Sequence, residues 1–532
     1  IKALAREFAD KTTSIAHYFG GGYVRGPYSH EPARLEVILL GMQGLGGPGV
    51  HHHQLTYFGM PRKEGLAGTF FWNPEIEERL AVPVMSSVTA WQQQVLPKTL
   101  VHKAIESDEP IKFRGTGAIE ALVVDQFNEY TYPLPKEEGG SEIHMMWTDC
   151  PCRITCWNGG NETAIAMRNP KIEFIVAQHP WLENDCYYAD IILPANTYME
   201  VDDIITNIRQ GTSQPNIMIA DKAIEPIGES KSDFEAVVEV AKRFGKEEAL
   251  TDGLSIQDMQ KKIWEYMGGE KLVSWEQLQE QKYWIYNTAE DWKDDPPGLR
   301  RFYDDPIKNK LPTPSGKLEF YSERLAKNYP YDKERPPIPK WIEVSAMHDE
   351  RLSSHRAKMF PLLLMSNHGR WRVHAQCDDI TWTREAPTCK VTGPDGYKYE
   401  PMWINPKDAE ERGIQNGDIV KMFNEQGIVL FGAYVTERLR PGVVYADHGA
   451  RHDPIKSGEI ERGGAINTIA PGFTTSHNCV GQATSGYLVQ VERLSWEEMD
   501  RWRQEYPEAF ERKYDPAAGL RFDAWVVEGD EK

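Results

Sequence analysis

The sequence predicts an α/β protein of doubly wound domains, followed near its C-terminal end by a small closed β-barrel. Three observations predict it. From about Pro361 to Arg493, short apolar strands alternate with Asn, Gly and Pro turns at the spacing of a barrel of roughly 130 residues. Between residues 155 and 200, strand, helix, strand, short helix and strand follow one another, as in a βαβαβ unit. At 532 residues the chain has room for about three or four such domains with real cores.

The barrel region can be justified turn by turn. Residues 402–404 form a strand, Asn405 stands at a helix N-cap, and Pro406 takes the first helical position. Residues 407–411 supply one or two turns before Gly413 stops them. Asn416-Gly417-Asp418 turns into a strand at 419–423, residues 424–427 turn back into 428–435, and Arg440-Pro441-Gly442 precedes a strand at 443–446.

Upstream, the chain opens without Met on what reads as a helix already in progress, with Leu4, Phe8 and Ile15 on one face, as a part of a longer protein would. The apolar segment 35–40 runs into the glycine-rich 44–49, whose spacing matches neither the dinucleotide fingerprint nor the P-loop. His51, His52 and His53 follow, and three consecutive histidines cannot all face one metal from a strand. Tyr57 lies just beyond them as a neutral acid or hydrogen-bond donor for a substrate. Residues 59–110 read as irregular, with a helix at 91–105, and 121–124 as a buried parallel strand. Cys150, Cys152 and Cys156 make C-x-C-x3-C, weaker than the paired C-x2-C of zinc or iron–sulfur sites; small buried side chains are the alternative.

Residues 155–157 read as a strand tip before Asn158-Gly159-Gly160-Asn161 and a helix at 162–167, the arrangement that offers backbone amides to a phosphate. A strand at 171–177 ends in Gln178-His179, and another at 191–193 ends in Pro194, with Thr197 and Glu200 beyond. Residues 207–221 read as a hairpin whose Arg209 and Gln210 could grip a phosphate or base. Helix 232–244 is expected to turn Phe234, Val237, Val238 and Ala241 inward, and helices 255–266 and 274–282 follow. A strand at 317–321 interrupts a Pro- and Asp-rich linker. These readings divide the chain into an incomplete α/β domain (1–120), a central α/β domain (121–290), a linker (291–357), the barrel (358–495) and an extension (496–532).

Net charge is −20 with a pI near 5.3, which argues against nucleic acid and leaves an anionic ligand to local amides and a few arginines. No apolar run reaches the roughly 18 residues of a membrane helix. Seven cysteines, an odd and scattered set, point to a reducing, cytoplasmic setting rather than a disulfide framework.

Ala189-Asp190-Ile191-Ile192-Leu193-Pro194 followed by Glu200 resembles the signature of the molybdopterin oxidoreductases, the dimethyl sulfoxide reductase family. Residues 40–49 resemble that family's glycine-rich segment, with Gln43 where Asn is usual, and 403–442 its C-terminal dinucleotide-binding domain, a double-psi β-barrel. The resemblance implies a bis(molybdopterin guanine dinucleotide) cofactor around one molybdenum (or tungsten). It places Gly159, Gly160 and Asn161 on pyrophosphate or ribose, Gln178 where many relatives set Asp against guanine, with His179 beside it, and Pro194, Thr197 and Glu200 around that pocket. His368, Arg370, Trp371 and His374 would reach the pterins, and Asn467 and Gln482 would contact the cofactor late in the barrel. Tyr57 is the implied catalytic residue. No metal ligand is assigned, because the family carries it, with any iron–sulfur cluster, in a domain this stretch does not match. The implied reaction is hydroxyl transfer between polyphenols, pyrogallol to phloroglucinol with 1,2,3,5-tetrahydroxybenzene as cosubstrate, by a large subunit paired with an iron–sulfur small subunit. A molybdenum oxidoreductase that exports electrons is the alternative.

Overall fold

The computed structural model describes residues 1–17, 23–54, 94–115, 128–182, 184–206, 216–266, 269–285, 298–343, 347–369, 372–376, 378, 390–511, 513–515 and 520–522. Tyr57, Arg209, Gln210, Arg370, Trp371 and the strand expected at 121–124 lie outside these residues.

The central unit is a parallel sheet of β1 (Met145–Thr148), β2 (Phe174–His179) and β3 (Ile191–Pro194), with β2 in the middle. Helix α1 (Gly160–Ala166) makes the crossover between β1 and β2 that parallel pairing requires. Ile175 of β2 packs with Met146, Ile154, Ala164 and Met167 in one apolar cluster. The expected strand tip at 155–157 is instead part of a short helix, Arg153–Cys156. Asp185, far along the chain, decides this: its carboxylate accepts from the amides of Arg153 (2.8 Å) and Ile154 (3.1 Å), the donors a helix start leaves open.

The hairpin is present as Asp203–Thr206 against Asn216–Ala220, and Tyr283–Ile285 adds a third strand. Trp264, Trp275 and Leu278, from the two helices expected nearby, bury Ile217. Helix Asp233–Arg243 starts on a Ser232 capping box but lies at the surface: Phe234, Val238 and Ala241 are half-buried and Val237 is exposed, so that face is less buried than expected. The opening helix stops at Asp10, and Ile15 belongs to a strand, Ile15–His17, parallel to His52–Gln54. The helix expected at 91–105 starts at Val101, after a 3-10 turn, and ends at Glu106. Residues 317–321 form no strand; Leu318 and Phe320 pack irregularly against Gly41, where a Cβ would stand 2.5 Å from Leu318 Cδ2.

The barrel consists of β4 (Leu362–Met365), β5 (Pro401–Ile404), β6 (Ile419–Asn424), β7 (Gly427–Val435), β8 (Val443–Ala446) and β9 (Tyr487–Arg493). Its ring order is β5-β8-β4-β9-β6-β7, and β7 closes back on β5. Two parallel pairs, β4 with β8 and β5 with β7, sit in an otherwise antiparallel ring, in keeping with the double-psi barrel expected. Closure removes the free edges that an open sheet of these strands would present. Leu364, Met402, Val420, Val429, Phe431, Val444 and Val489 fill the interior. The local signals act as read: the Asn405 side chain accepts from Lys407 N, Pro406 starts the helix, and Gly413 and Gly417 take positive φ (62° and 89°) at the turns.

The stretch read as a linker is laced to the barrel. Glu334 accepts from Ser476 Oγ (2.6 Å), His348 Nε2 meets Thr474 O, and Glu350 accepts from Leu488 N (2.6 Å). Helix Trp496–Glu505, capped by Ser495, buries Met499 and Trp502 against Tyr399 and Ile455. Among the described residues no helix is long and apolar enough to cross a membrane.

Candidate cofactor cleft between barrel and central sheet

The Gly159-Gly160-Asn161 loop lies directly against the barrel. Gly159, at φ 66°, donates its amide to Ala470 O (3.0 Å), and Asn161 Nδ2 donates to Gln426 O (2.9 Å). Gly160 is pressed so closely that a Cβ would stand 2.2 Å from Ile154 O and 2.7 Å from Thr468 Cα. This contact sets the distance between the two domains.

At the carboxyl ends of β2 and β3, Gln178 is enclosed with its amide engaged at both ends: Oε1 accepts from Trp147 Nε1 (3.0 Å) and Nε2 donates to Asp233 Oδ1 (2.7 Å). His179 is buried opposite Pro194. Glu200 ties the following loop together, accepting from Thr197 N, Thr197 Oγ1 and Ile227 N, each at 2.7 Å. The Thr197 amide first, then its hydroxyl and the Ile227 amide, hold the Glu200 carboxyl below the ordinary range.

On the barrel side, a matching loop is organised by Glu461. Its buried carboxylate accepts from the amides of Asp453, Gly463, Gly464 and Ala465 at 2.7–2.8 Å, fixing the turn that carries Asn467. Arg372, buried between Asp378 (2.7 Å) and Glu400 (2.9 Å), donates through Nε to His448 O (3.0 Å), which holds the 372–378 segment against the His448 loop.

Five side chains converge between these loops. Cys156 Sγ lies 3.3 Å from His448 Nε2 and 3.8 Å from His374 Nδ1. His368 stands beside both imidazoles, with ring centroids 4.5 Å from His374 and 4.8 Å from His448. Asn467 Nδ2 donates to His448 Nδ1 (3.1 Å). Cys156 and His448 are buried, while His374 is exposed and holds a left-handed φ of 54°. Hydrogen bonding from the Cys152 thiol first, then from His374 and His448, holds the Cys156 thiol well below its usual value. Burial and the neighbouring imidazoles push His368 down to about 4.

The structure thus brings the predicted His368, His374 and Asn467 together, and sets Gly159–Asn161 against the same barrel segment. Gln178, His179, Pro194, Thr197 and Glu200 gather separately at the sheet's rim. Gln482 ends the short strand Cys479–Gln482, opposite Thr474. Sequence reasoning missed His448 and undervalued Cys156. Their partners lie 218 and 292 residues apart in the chain, so no local spacing could signal them.

Three buried side-chain oxygens have no hydrogen-bond partner among the described residues in the segments the resemblance assigns to cofactor: Asn196 Oδ1, Asn467 Oδ1 and Gln482 Oε1. Leaving such acceptors unmatched costs about 1–3 kcal/mol each. They suit a ligand rich in N–H donors.

Comparison with known proteins agrees with this geometry. A family profile described as "Molybdopterin oxidoreductase" matches residues 119–243, and one described as "Molydopterin dinucleotide binding domain" matches 362–483, the two sides of the cleft. The chain carries both domains, a molybdopterin oxidoreductase domain and a molydopterin dinucleotide-binding domain.

Its relatives include the pyrogallol hydroxytransferase large subunit of Pelobacter acidigallici, 29% identical over 93% of this chain and 61% of that protein. Trimethylamine-N-oxide reductase 1 of Escherichia coli O157:H7 is 34% identical over 61% of this chain and 37% of its own length. Dimethyl sulfoxide reductase DmsA of Escherichia coli K12 is 31% identical over 66% and 42%. The chain spans about 61% of the length of the hydroxytransferase and less of the reductases. The cofactor of these two domains is molybdenum with bis(molybdopterin guanine dinucleotide). Pterin and guanine rings present N–H groups, and the unmatched oxygens of Asn196, Asn467 and Gln482 are acceptors, so the donor set fits.

Proposed function

We propose that the chain belongs to the large, cofactor-bearing subunit of a molybdenum enzyme that moves a hydroxyl group between polyphenols. Tetrahydroxybenzene gives its hydroxyl to pyrogallol, leaving phloroglucinol and regenerating tetrahydroxybenzene, so no net electron leaves the pair. The observation that carries this reading is the extent of similarity. The hydroxytransferase relative aligns through 93% of this chain, whereas the trimethylamine-N-oxide reductase aligns through 61%.

Gly159, Gly160 and Asn161 with Asn467 and Gln482 would hold one side of the cofactor, and Gln178, His179, Pro194, Thr197 and Glu200 the guanine end at the sheet's rim. His368, Arg370, Trp371 and His374 would reach the pterins. Bound there, the cofactor supplies Lewis-acid and two-electron chemistry to a ring oxygen. Tyr57 would hold and return a phenolic proton. An iron–sulfur small subunit is the proposed partner. No disulfide joins the cysteines among the described residues, which supports a reducing, cytoplasmic setting.

The test is turnover of pyrogallol by the full-length protein with tetrahydroxybenzene and no added electron donor or acceptor. Phloroglucinol formed under these conditions supports the reading; a strict need for an external donor or acceptor overturns it. A dependence of that kind would favour a reductase, the reading that the 34% identity to trimethylamine-N-oxide reductase supports. Tyr57→Phe should lower kcat by about 10²–10⁴-fold with cofactor content unchanged.

A further inference from the structure

We propose that His17, Glu36 and His52 form a binding site for a divalent cation, zinc by preference, that joins three segments near the start of the chain. None of its side chains belongs to the segments placed around the cofactor cleft, and the inference does not rest on the polyphenol reading.

The sheet brings the two histidines together. Strand Ile15–His17 runs parallel to strand His52–Gln54, with Ile15 opposite His52. Side chains two residues apart on a strand share a face, so His17 and His52 point to the same side. Helix His30–Met42 sets Glu36 against both rings on that side. The run of three histidines in the sequence is thereby used through His52.

The three ligand atoms all lie within 4.8 Å of one another. Glu36 Oε2 stands 2.7 Å from His17 Nε2 and 3.1 Å from His52 Nε2, and it also accepts from Tyr23 OH at 2.9 Å. A carboxylate oxygen offers about two lone pairs, so three partners on Oε2 exceed its capacity. Among the described residues none bonds to Oε1. A cation removes the excess: each Nε2 then turns a lone pair rather than a proton toward the centre, and Tyr23 keeps its acceptor. Zinc holds imidazole nitrogen and carboxylate oxygen at about 2.0–2.2 Å, which in a tetrahedron sets ligand edges of about 3.3–3.4 Å. The His52 edge needs about 0.2–0.3 Å and the His17 edge about 0.6 Å, a small swing of the Glu36 carboxylate. Tyr23 then supplies the outer-shell hydrogen bond that ligating carboxylates ordinarily have.

Two imidazoles and one carboxylate leave the fourth position to water. Side-chain exposures of 16% for His17, 21% for Glu36 and 31% for His52 hold the ligands in place and still give a cation a path from solvent. The donor set contains no sulfur, which separates it chemically from Cys150, Cys152 and Cys156.

The experiment incubates the full-length, cofactor-loaded protein with zinc, dialyses it, measures zinc and molybdenum, and records X-ray absorption at the zinc edge. About one zinc per chain is expected, with nitrogen and oxygen neighbours at about 2.0–2.2 Å and no sulfur near 2.3 Å. Glu36→Gln, which keeps an acceptor for Tyr23 and loses the charge, should lose the zinc. Tyr23→Phe should weaken zinc binding by about 10–100-fold. Zinc should raise the Tm of wild type and leave that of Glu36→Gln unchanged. Zinc below about a tenth per chain, sulfur among its neighbours, or zinc retained by Glu36→Gln would each overturn the proposal. Molybdenum in the same samples reports folding and cofactor loading. Should Glu36→Gln lose molybdenum as well, the Tyr23→Phe titration decides, and an affinity equal to wild type there overturns the proposal.

Discussion

Two loops on opposite sides of the cleft are each tied by one glutamate to backbone amides, and the two carboxyls respond in opposite directions. Glu461, wholly enclosed at the barrel and beside Asp453, is pushed up to about 7, because the loss of water outweighs the amides it accepts. Glu200 makes the same kind of bonds at the rim of the central sheet, covered by its own loop, and there the amides and the Thr197 hydroxyl outweigh burial, so its carboxyl is held low. Hydrogen-bond inventory alone therefore does not set a carboxyl's charge; depth decides which contribution wins.

Removing each tie tests that difference. Glu461→Ala leaves four amides without an acceptor in a closed interior and should cost about 3–5 kcal/mol, read as a lower urea midpoint with unchanged slope. Gly160→Ala acts where the two sides meet: its Cβ has backbone on both flanks, and about 2–3 kcal/mol with faster proteolysis between the domains is expected. Glu200→Ala should cost less, about 1–2 kcal/mol, since water can reach the released amides at the rim. A Glu200 loss equal to that of Glu461 would break the comparison.

The smallest effect is a pH slope. Glu461 has a folded value near 7 against an ordinary 4.5, so the folded state binds the extra proton between about pH 4.5 and 7. Its contribution to stability is therefore full at low pH and declines as pH rises through that window. Glu200, held low when folded, contributes above its ordinary range, and that contribution is lost as pH falls through its folded value. Subtracting the urea profiles of Glu461→Gln and Glu200→Gln from wild type should give slopes of opposite sign.

The barrel was legible because its instructions are local. Asn405-Pro406, Asn416-Gly417 and Pro441-Gly442 each specify a cap or turn within a few residues, and strand limits read from them agree with the structure to within about a residue or two. The misses share a distant cause. Residues 155–157 carry no sign of helix, because the cap is the Asp185 carboxylate. Residues 317–321 have strand-like composition, yet Leu318 and Phe320 are taken by Gly41 of another segment. The two family domains were legible through the ADIILP signature and the barrel pattern. The Cys156, His374 and His448 convergence was not, since it exists only once two domains meet.

Ring closure also orders events in time. The first barrel strand, β4, pairs on one side with β8 and on the other with β9, whose last residue is Arg493. During synthesis, at about 5–20 residues per second, β4 must wait for both partners, so the ring cannot lock until Arg493 has cleared the ribosome. Until then the segments carrying His374, His448 and Asn467 have no fixed seat opposite Cys156. Whatever occupies the cleft therefore has a fixed barrel-side seat only once β9 is in place, and the last barrel strand acts as its latch.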